Sequence, residues 1–230
     1  MFMVYRRGRY SKRGGRRRYG RGGRGVAWYN KKYSAGDMAA LALRKVKYIA
    51  GLINVEKKKT DIVVGMTPDS TSGEVEYLSD IAQGDTVGAR NGNSILVKGL
   101  RLSGDMSIHA SATNTIVRLM LIRDTQQVAD TSVSCVDVLD GSVSKYVHSP
   151  LNDNTVGRFD VLWEKRFLLD STNRKEIIWK TYIPMSSHMR FNGAASNDIQ
   201  KNGLYLVAVS DEPTNVPTVT GFGRVYFYDN

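Results

Sequence analysis

The hydrophobic period of this 230-residue chain changes near residue 54, and that change limits the fold more than any other feature. Before it, "MAALALRKVKYIAGLI" places Ala39, Ala42, Leu43, Val46, Ile49, Ala50 and Ile53 on one arc at helical spacing, with Asp37 positioned to cap the helix. After it, apolar residues recur every second position. "ILVKGLRLSGDMSIH" sends Leu96, Leu100, Leu102, Met106 and Ile108 one way, and Arg101, Ser103, Asp105 and Ser107 the other. "FDVLWEKRFLL" groups Phe159, Val161, Trp163, Phe167 and Leu169 against Asp160, Glu164 and Arg166. "IIWKTYI" sets Ile177, Trp179 and Ile183 against Lys180 and Tyr182. A period of two is the signature of a strand with one buried face.

Two further runs, "IVRLMLIR" and "LYLVAVS", are almost continuously apolar, as central strands or strands buried between subunits would be. Adding segments at 55–66, 74–81 and 222–228 gives eight strands separated by Gly, Asn, Asp, Ser and Pro clusters. Many short strands and one short N-terminal helix predict an all-β sandwich or barrel. Connections of uneven length, one running from about 124 to 158, suit an eight-stranded jelly-roll sandwich better than an up-and-down barrel.

Charge divides the chain at the same place. Residues 1–59 hold 18 Lys and Arg against Asp37 and Glu56, a formal +16; the remainder holds 15 against 20, a formal −5. "RRGRYSKRGGRRRYGRGGRG", Arg6 to Gly25, contains nine Arg, Lys12, seven Gly and no carboxylate. With no Val, Ile or Leu there, burial cannot offset roughly 1–2 kcal/mol of backbone entropy per residue, so the sequence predicts a disordered arm. The expected organisation is an arm over 1–25, a hinge and amphipathic helix over 26–53, and a sandwich over 54–230.

The arm's chemistry points to nucleic acid. Arg6, Arg7, Arg9, Lys12, Arg13, Arg16, Arg17, Arg18, Arg21 and Arg24 can meet phosphates, the arginines in bidentate fashion. Tyr5, Tyr10, Tyr19, Trp28 and Tyr29 offer flat faces to unpaired bases. Lys31, Lys32, Arg44 and Lys47 are candidates for secondary contacts, although a solvated helix face is the favoured reading of Arg44 and Lys47. An arginine-rich stretch also reads as a nuclear-import signal, which would use the arm at a different time. A polybasic membrane patch fits less well without a lipid anchor. No apolar run approaches 18 residues and no Asn-x-Ser/Thr sequon occurs, so a soluble, not conventionally secreted protein is expected.

No catalytic constellation emerges. His109, His148 and His188 lie about forty residues apart, outside any HxH or HExxH pair. Cys135 stands alone in "SVSCVDVL", the setting of a small buried hydrophobe. "GDTVGARNGNS" lacks the Lys-Ser/Thr ending of a phosphate loop and reads as a surface loop. Asp211 and Glu212 read as solvated loop acids. The expectation is no enzyme and no cofactor, with Ca²⁺ between subunits left open because sequence cannot show carboxylates meeting there.

The ordered blocks "LINVEKK", "DIAQGDTVGARNGNSILVKGL", "VRLMLIRDTQQ", "SPLNDNTVGRFDVL", "NGLYLVAVSD" and "GRVYFYD" resemble capsid proteins of small circular Rep-encoding single-stranded DNA viruses. Those proteins are similar in fold to the satellite tobacco necrosis virus coat. The resemblance implies a self-assembling T=1 icosahedral capsid of about sixty copies. It also implies an inward arm holding a viral genome, single-stranded DNA in preference to RNA, although the blocks do not separate DNA-packaging from RNA-packaging members. A virion location follows from the same resemblance, while a host-nucleus stage and import factors as partners follow from the import-signal reading of the arm. A cellular single-stranded nucleic-acid-binding protein is the alternative.

Overall fold

Ser34 starts the long helix α1 (Ala35–Leu52) through a reciprocal cap. Its hydroxyl accepts the Asp37 N–H at 3.1 Å, and the Asp37 carboxylate accepts the Ser34 N–H at 3.2 Å. Asp37 is therefore the third-residue partner of a capping box, and Ser34, not Asp37, is the cap. A computed structural model describes residues 34–52, 56–127, 133–142 and 146–229. The helix and the β-structure from Asn54 onward are separate compact units. Within α1 the side chains described from Ala35 to Ile49 are exposed, including the predicted apolar positions Leu43, Val46 and Ile49.

The β unit is an antiparallel two-sheet sandwich. Its strands are β1 (Glu56–Met66), β2 (Glu74–Tyr77), β3 (Ser94–Ser107), β4 (Asn114–Asp124), β5 (Phe159–Asp170), β6 (Glu176–Phe191), β7 (Ile199–Lys201), β8 (Gly203–Ser210) and β9 (Thr218–Asp229). One sheet runs β1-β9-β3-β6-β7 and the other β2-β8-β4-β5, the interleaved order of a jelly roll. The strands match the eight predicted segments, with β2 stopping at Tyr77 short of 81, β6 carried on through Pro184 to Phe191, β9 starting earlier, and β7 added. Pro184 is tolerated because it faces Gly99 where the β3–β6 register shifts, a place with no regular ladder bond to lose.

Between the sheets lies a core that includes Leu100, Leu102, Leu119, Leu121, Leu206 and Phe227, all at most 1% exposed. Each such side chain contributes about 1.5–3 kcal/mol relative to exposure. Two bulges set which residues enter it. At Lys98 the register shifts between Val97 and Gly99, so Ile95 and Val97 point inward before the bulge and Leu100 and Leu102 after it. Leu96, predicted inward, is half-buried and belongs to the other phase. Leu121 pairs with Trp163 but Ile122 with Val161, leaving Leu162 as the extra residue. Trp163 packs on the inter-sheet core, while Val161 and Phe159 join a second cluster. One predicted face is thus split into two.

That second cluster explains the apolar runs. Every residue of β8 is buried, as are all of β4 from Val117 to Ile122. Met120, Ile122, Tyr205, Val207 and Val209 face away from the inter-sheet core and are covered by Val133, Cys135, Val138, Leu139, Tyr146 and Val147 of the β4–β5 connection. The chain covers these strands itself; no neighbouring subunit is needed to bury them. The connection carries the short helix α2 (Cys135–Val138) and a 3-10 turn, Tyr146–His148. Its ends are tied by Arg158, which donates to both oxygens of the fully buried Asp124 carboxylate at 2.9 and 2.6 Å. Arg118, buried on β4, donates to the carbonyls of Ser149 (2.6 Å) and Tyr146 (3.4 Å) and to Glu164 (3.0 Å). The arginine in "IVRLMLIR" thereby satisfies carbonyls that would otherwise be stranded under the connection.

Candidate nucleic-acid interface

Arg6, Arg7, Arg9, Lys12, Arg13, Arg16, Arg17, Arg18, Arg21 and Arg24 lie outside the described residues, as do Tyr5, Tyr10, Tyr19, Trp28, Tyr29, Lys31 and Lys32. Of the predicted contacts, Arg44 and Lys47 are described. They stand three residues apart on α1, both exposed, and so share one stretch of helix surface.

The sandwich contributes a second cationic surface, on the face of the five-stranded sheet turned away from the core. Strand register lines up Asp61, Arg224, Arg101 and Tyr182 as one row across β1, β9, β3 and β6. The next row is Val63, Phe222, Ser103 and Lys180. Asp61 and Arg224 pair in bidentate fashion at 2.5 and 2.7 Å, and the guanidinium holds the Asp61 carboxyl below the usual carboxylate range. Arg101 and Lys180 make no ion pair among the described residues, and both are exposed. Nearby, Lys57 and Lys98 place their ammonium groups 6.0 and 5.8 Å from the Tyr228 ring centre.

Aromatic side chains occupy the same face. Tyr182 is 58% exposed and meets Tyr226 edge to face, with ring centres 6.5 Å apart. Gly99 makes room for it: a Cβ there would come within 2.5 Å of the Tyr182 hydroxyl. Arg101, Lys180, Thr181, Tyr182 and Tyr226 line a depression of about 520 Å³. A neighbouring depression of about 210 Å³ lies among Arg101, Ser103, Phe222 and Arg224, so Arg101 borders both.

Sequence reasoning placed Arg101, Lys180 and Tyr182 on solvent faces but gave them no role. Their alternation was legible; their convergence was not, because it depends on which strands are neighbours. "GDTVGARNGNS" also holds more than a surface loop. Arg90 within it is fully buried and donates to the carbonyls of Ile81 (3.1 Å), Gly92 (2.9 Å) and Ala195 (3.3 Å), with its guanidinium 3.9 Å from the Phe191 ring centre. Its side chain pins the β2–β3 loop to the β6–β7 loop.

The remaining chemical candidates stay apart. His109, His148 and His188 are exposed, on the β3–β4 loop, the 3-10 turn and β6. His109 Nδ1 accepts the Ser111 N–H at 3.1 Å. Asp211 is engaged by the Ile116 N–H at 2.8 Å. Cys135 is buried, and burial together with the nearby Asp69, Glu74 and Asp137 pushes its thiol up to about 12. Among the described residues, no group of three or more His, Cys, Asp or Glu side chains could hold a metal ion. No described helix is long and apolar enough to cross a membrane.

No curated protein matches the chain. Among solved structures, similarity is found to one of Desmodium yellow mottle tymovirus, at 10% identity over 76% of this chain and 88% of that one, with a TM-score of 0.34. A KBV activated particle at acidic pH gives 12% identity, 97% and 90% coverage and a TM-score of 0.35. The 60-mer BFDV capsid protein gives 10%, 76% and 92%, and 0.32. The profile of the satellite tobacco necrosis virus coat protein family matches residues 30–227, which spans α1 and nearly the whole sandwich. The chain belongs to the satellite tobacco necrosis virus coat protein family, and it is a structural protein of a virion, not an enzyme.

Proposed function

We propose that this coat protein assembles into a T=1 shell and packages a single-stranded genome through the arginine-rich arm. The observation that carries the proposal is the segregation of charge: every carboxylate of the chain lies at or beyond Asp37, while Arg6 to Arg24 supply ten cations. Such a segment binds a polyanion by displacing counterions, with an affinity that needs no base sequence. The proposed division is an arm over 1–25, a hinge and helix over 26–53 and a shell domain over 54–230. Arg44 and Lys47, exposed on α1, extend the basic surface beyond the arm. The genome proposed is single-stranded DNA, on the overall resemblance to capsid proteins of small circular Rep-encoding viruses and not on the blocks themselves, which do not separate DNA-packaging from RNA-packaging members. A nuclear assembly step, with import factors reading the same arginines, accords with that genome.

Sizing the expressed protein by light scattering, before and after nuclease treatment, tests this reading. Sixty copies of a 25.6 kDa chain give a particle of about 1.5 MDa. A particle of that mass holding nuclease-protected nucleic acid is expected, and digestion of the extracted nucleic acid by DNase but not RNase identifies the genome class. Deleting residues 1–25 should preserve the β-type circular dichroism and abolish the protected nucleic acid. A compact monomer sinks the proposal, and a particle equally loaded without residues 1–25 removes the arm from it.

A further inference from the structure

We infer that the outer face of the five-stranded sheet, centred on Arg101, is a second and folded binding site for single-stranded nucleic acid. The inference rests on the packaging function proposed for the arm and adds a site of defined geometry to it.

The first observation is a cation without a carboxylate partner in a row where like charges stand opposite each other. Arg101 and Arg224 are direct cross-strand partners of β3 and β9. Like charges placed directly opposite each other destabilise a sheet. Asp61 neutralises Arg224 through its bidentate pair, and no described carboxylate does the same for Arg101. Lys180 stands one diagonal step away, beside Ser103, and adds a second unpaired cation. Asp105, the acid closest along β3, forms an ion pair with neither cation among the described residues and accepts the Thr220 hydroxyl at 2.9 Å instead. A phosphate between Arg101 and Lys180 would supply the missing negative charge, and local conflicts of this kind are expected where a ligand binds.

The second observation is the aromatic floor. Tyr182 is exposed and reclines over Gly99, whose missing side chain leaves the space it fills. A ring held this way presents a face on which one unpaired base can stack, next to the cations that hold its phosphate. Arg101, Lys180, Tyr182 and Tyr226 share an open depression of about 520 Å³, so the cations and the ring are reachable from solvent together. Duplex DNA would bring phosphates but hide its base faces, so the tyrosines select the single strand.

Full-length particles test the site directly. Ultraviolet cross-linking of the packaged nucleic acid, followed by mass spectrometry, should find nucleotides on peptides containing Tyr182 or Tyr226 as well as on the arm. The full-length double variant Arg101→Gln/Lys180→Gln should lose at least about fivefold of the sandwich cross-links while the arm cross-links remain. Restoring charge as Arg101→Lys with wild-type Lys180 should recover most of them. Cross-links confined to the arm overturn the inference and leave the arm's role standing. Particles without any nucleic acid overturn both. An amine-to-carboxylate cross-link from Lys180 to another copy in the particle would assign this face to a subunit contact and overturn the inference as well.

Discussion

Lys58 Nζ lies 2.9 Å from Asp229 Oδ2, with side chains 8% and 1% exposed, so a buried ion pair pins the first strand of the sandwich to the last. The same Asp229 oxygen accepts the Asn91 N–H at 2.7 Å, and Lys58 also donates to the Asn91 side-chain oxygen at 3.1 Å. Segments 33 and 171 residues from Lys58 along the chain therefore share one charge pair. Replacing a buried pair as a whole can be neutral, but removing one partner strands the other.

Asp229→Asn should therefore destabilise the subunit at neutral pH by up to about 3–5 kcal/mol, with the Glu56 carboxylate 3.3 Å from Lys58 Nζ offsetting part of the loss. Burial works against the Lys58 charge, but hydrogen bonds to Asp229 and Glu56 outweigh it and hold the Lys58 pKa above its ordinary value. A raised lysine pKa stabilises fully below the ordinary lysine range, and that contribution disappears as pH rises through the raised value. The gap between wild type and Asp229→Asn should stay level between about pH 6 and pH 9 and narrow only in strong alkali. Denaturant titration of dissociated subunits across that range measures it. A gap that closes near neutrality would show that the pair does not hold the strands.

Trp179 and Trp163 stack with ring centres 6.3 Å apart, but only Trp179 is buried, at 5% exposed. Trp179→Ala should cost about 3–5 kcal/mol, and Trp163→Ala about half as much, because its outer side already meets solvent. His109→Gln, His148→Gln and His188→Gln should each stay within about 0.5 kcal/mol, as surface substitutions do. Urea midpoints of the five variants give the ranking. A histidine variant that falls below Trp179→Ala would overturn the placement of these side chains.

Trp163 also shows where sequence reading stopped. Alternation located the eight main strands because a two-residue period survives as long as the pleat is unbroken. A bulge adds one residue without any distinctive side chain, and every residue beyond it changes face. Lys98 and Leu162 are the two such places, so an unbroken two-residue period puts Leu96 inward and Val161 beside Trp163 where the strands do not. β7, three residues long, is too short to carry a period. The continuous runs of β4 and β8 left two readings open, and only the path of the β4–β5 connection decides between them. For the candidate site the limit was different. Arg101, Arg224, Lys180 and Tyr182 each carried the right outward phase, but their meeting is a property of strand order, which no local pattern encodes.

Cys135 should behave as an inert core residue despite being the one thiol of the chain. With its pKa pushed up to about 12, the thiolate fraction at pH 8 is on the order of one in ten thousand. Its sulfur also sits under the β4–β5 connection, where reagent cannot reach without local opening. Native protein should react with a chromogenic disulfide reagent at least about a hundredfold more slowly than denaturant-unfolded protein. The rate should rise with pH, because the charged form is the one burial disfavours. Fast labelling of folded protein at pH 7 would mean that the connection does not cover the sheet.

The arm makes a prediction that depends on charge rather than shape. Ten cations meeting a single strand imply a slope of about −7 in log affinity against log salt, at about −0.7 per neutralised phosphate. Replacing the nine arginines between Arg6 and Arg24 by lysine keeps the charges, so most of the slope should remain while bidentate phosphate pairing and guanidinium stacking are lost. Shuffling residues 6–25 should change affinity even less. Replacing Tyr5, Tyr10 and Tyr19 by alanine should weaken binding to single strands more than to duplex, since only unpaired bases expose a face to stack on. Binding of a peptide covering residues 1–30 to single-stranded and duplex oligonucleotides over a salt series supplies all four numbers. A slope near zero would mean that the cations do not displace counterions, and a strong dependence on base sequence would mean that the arm reads more than a polyanion.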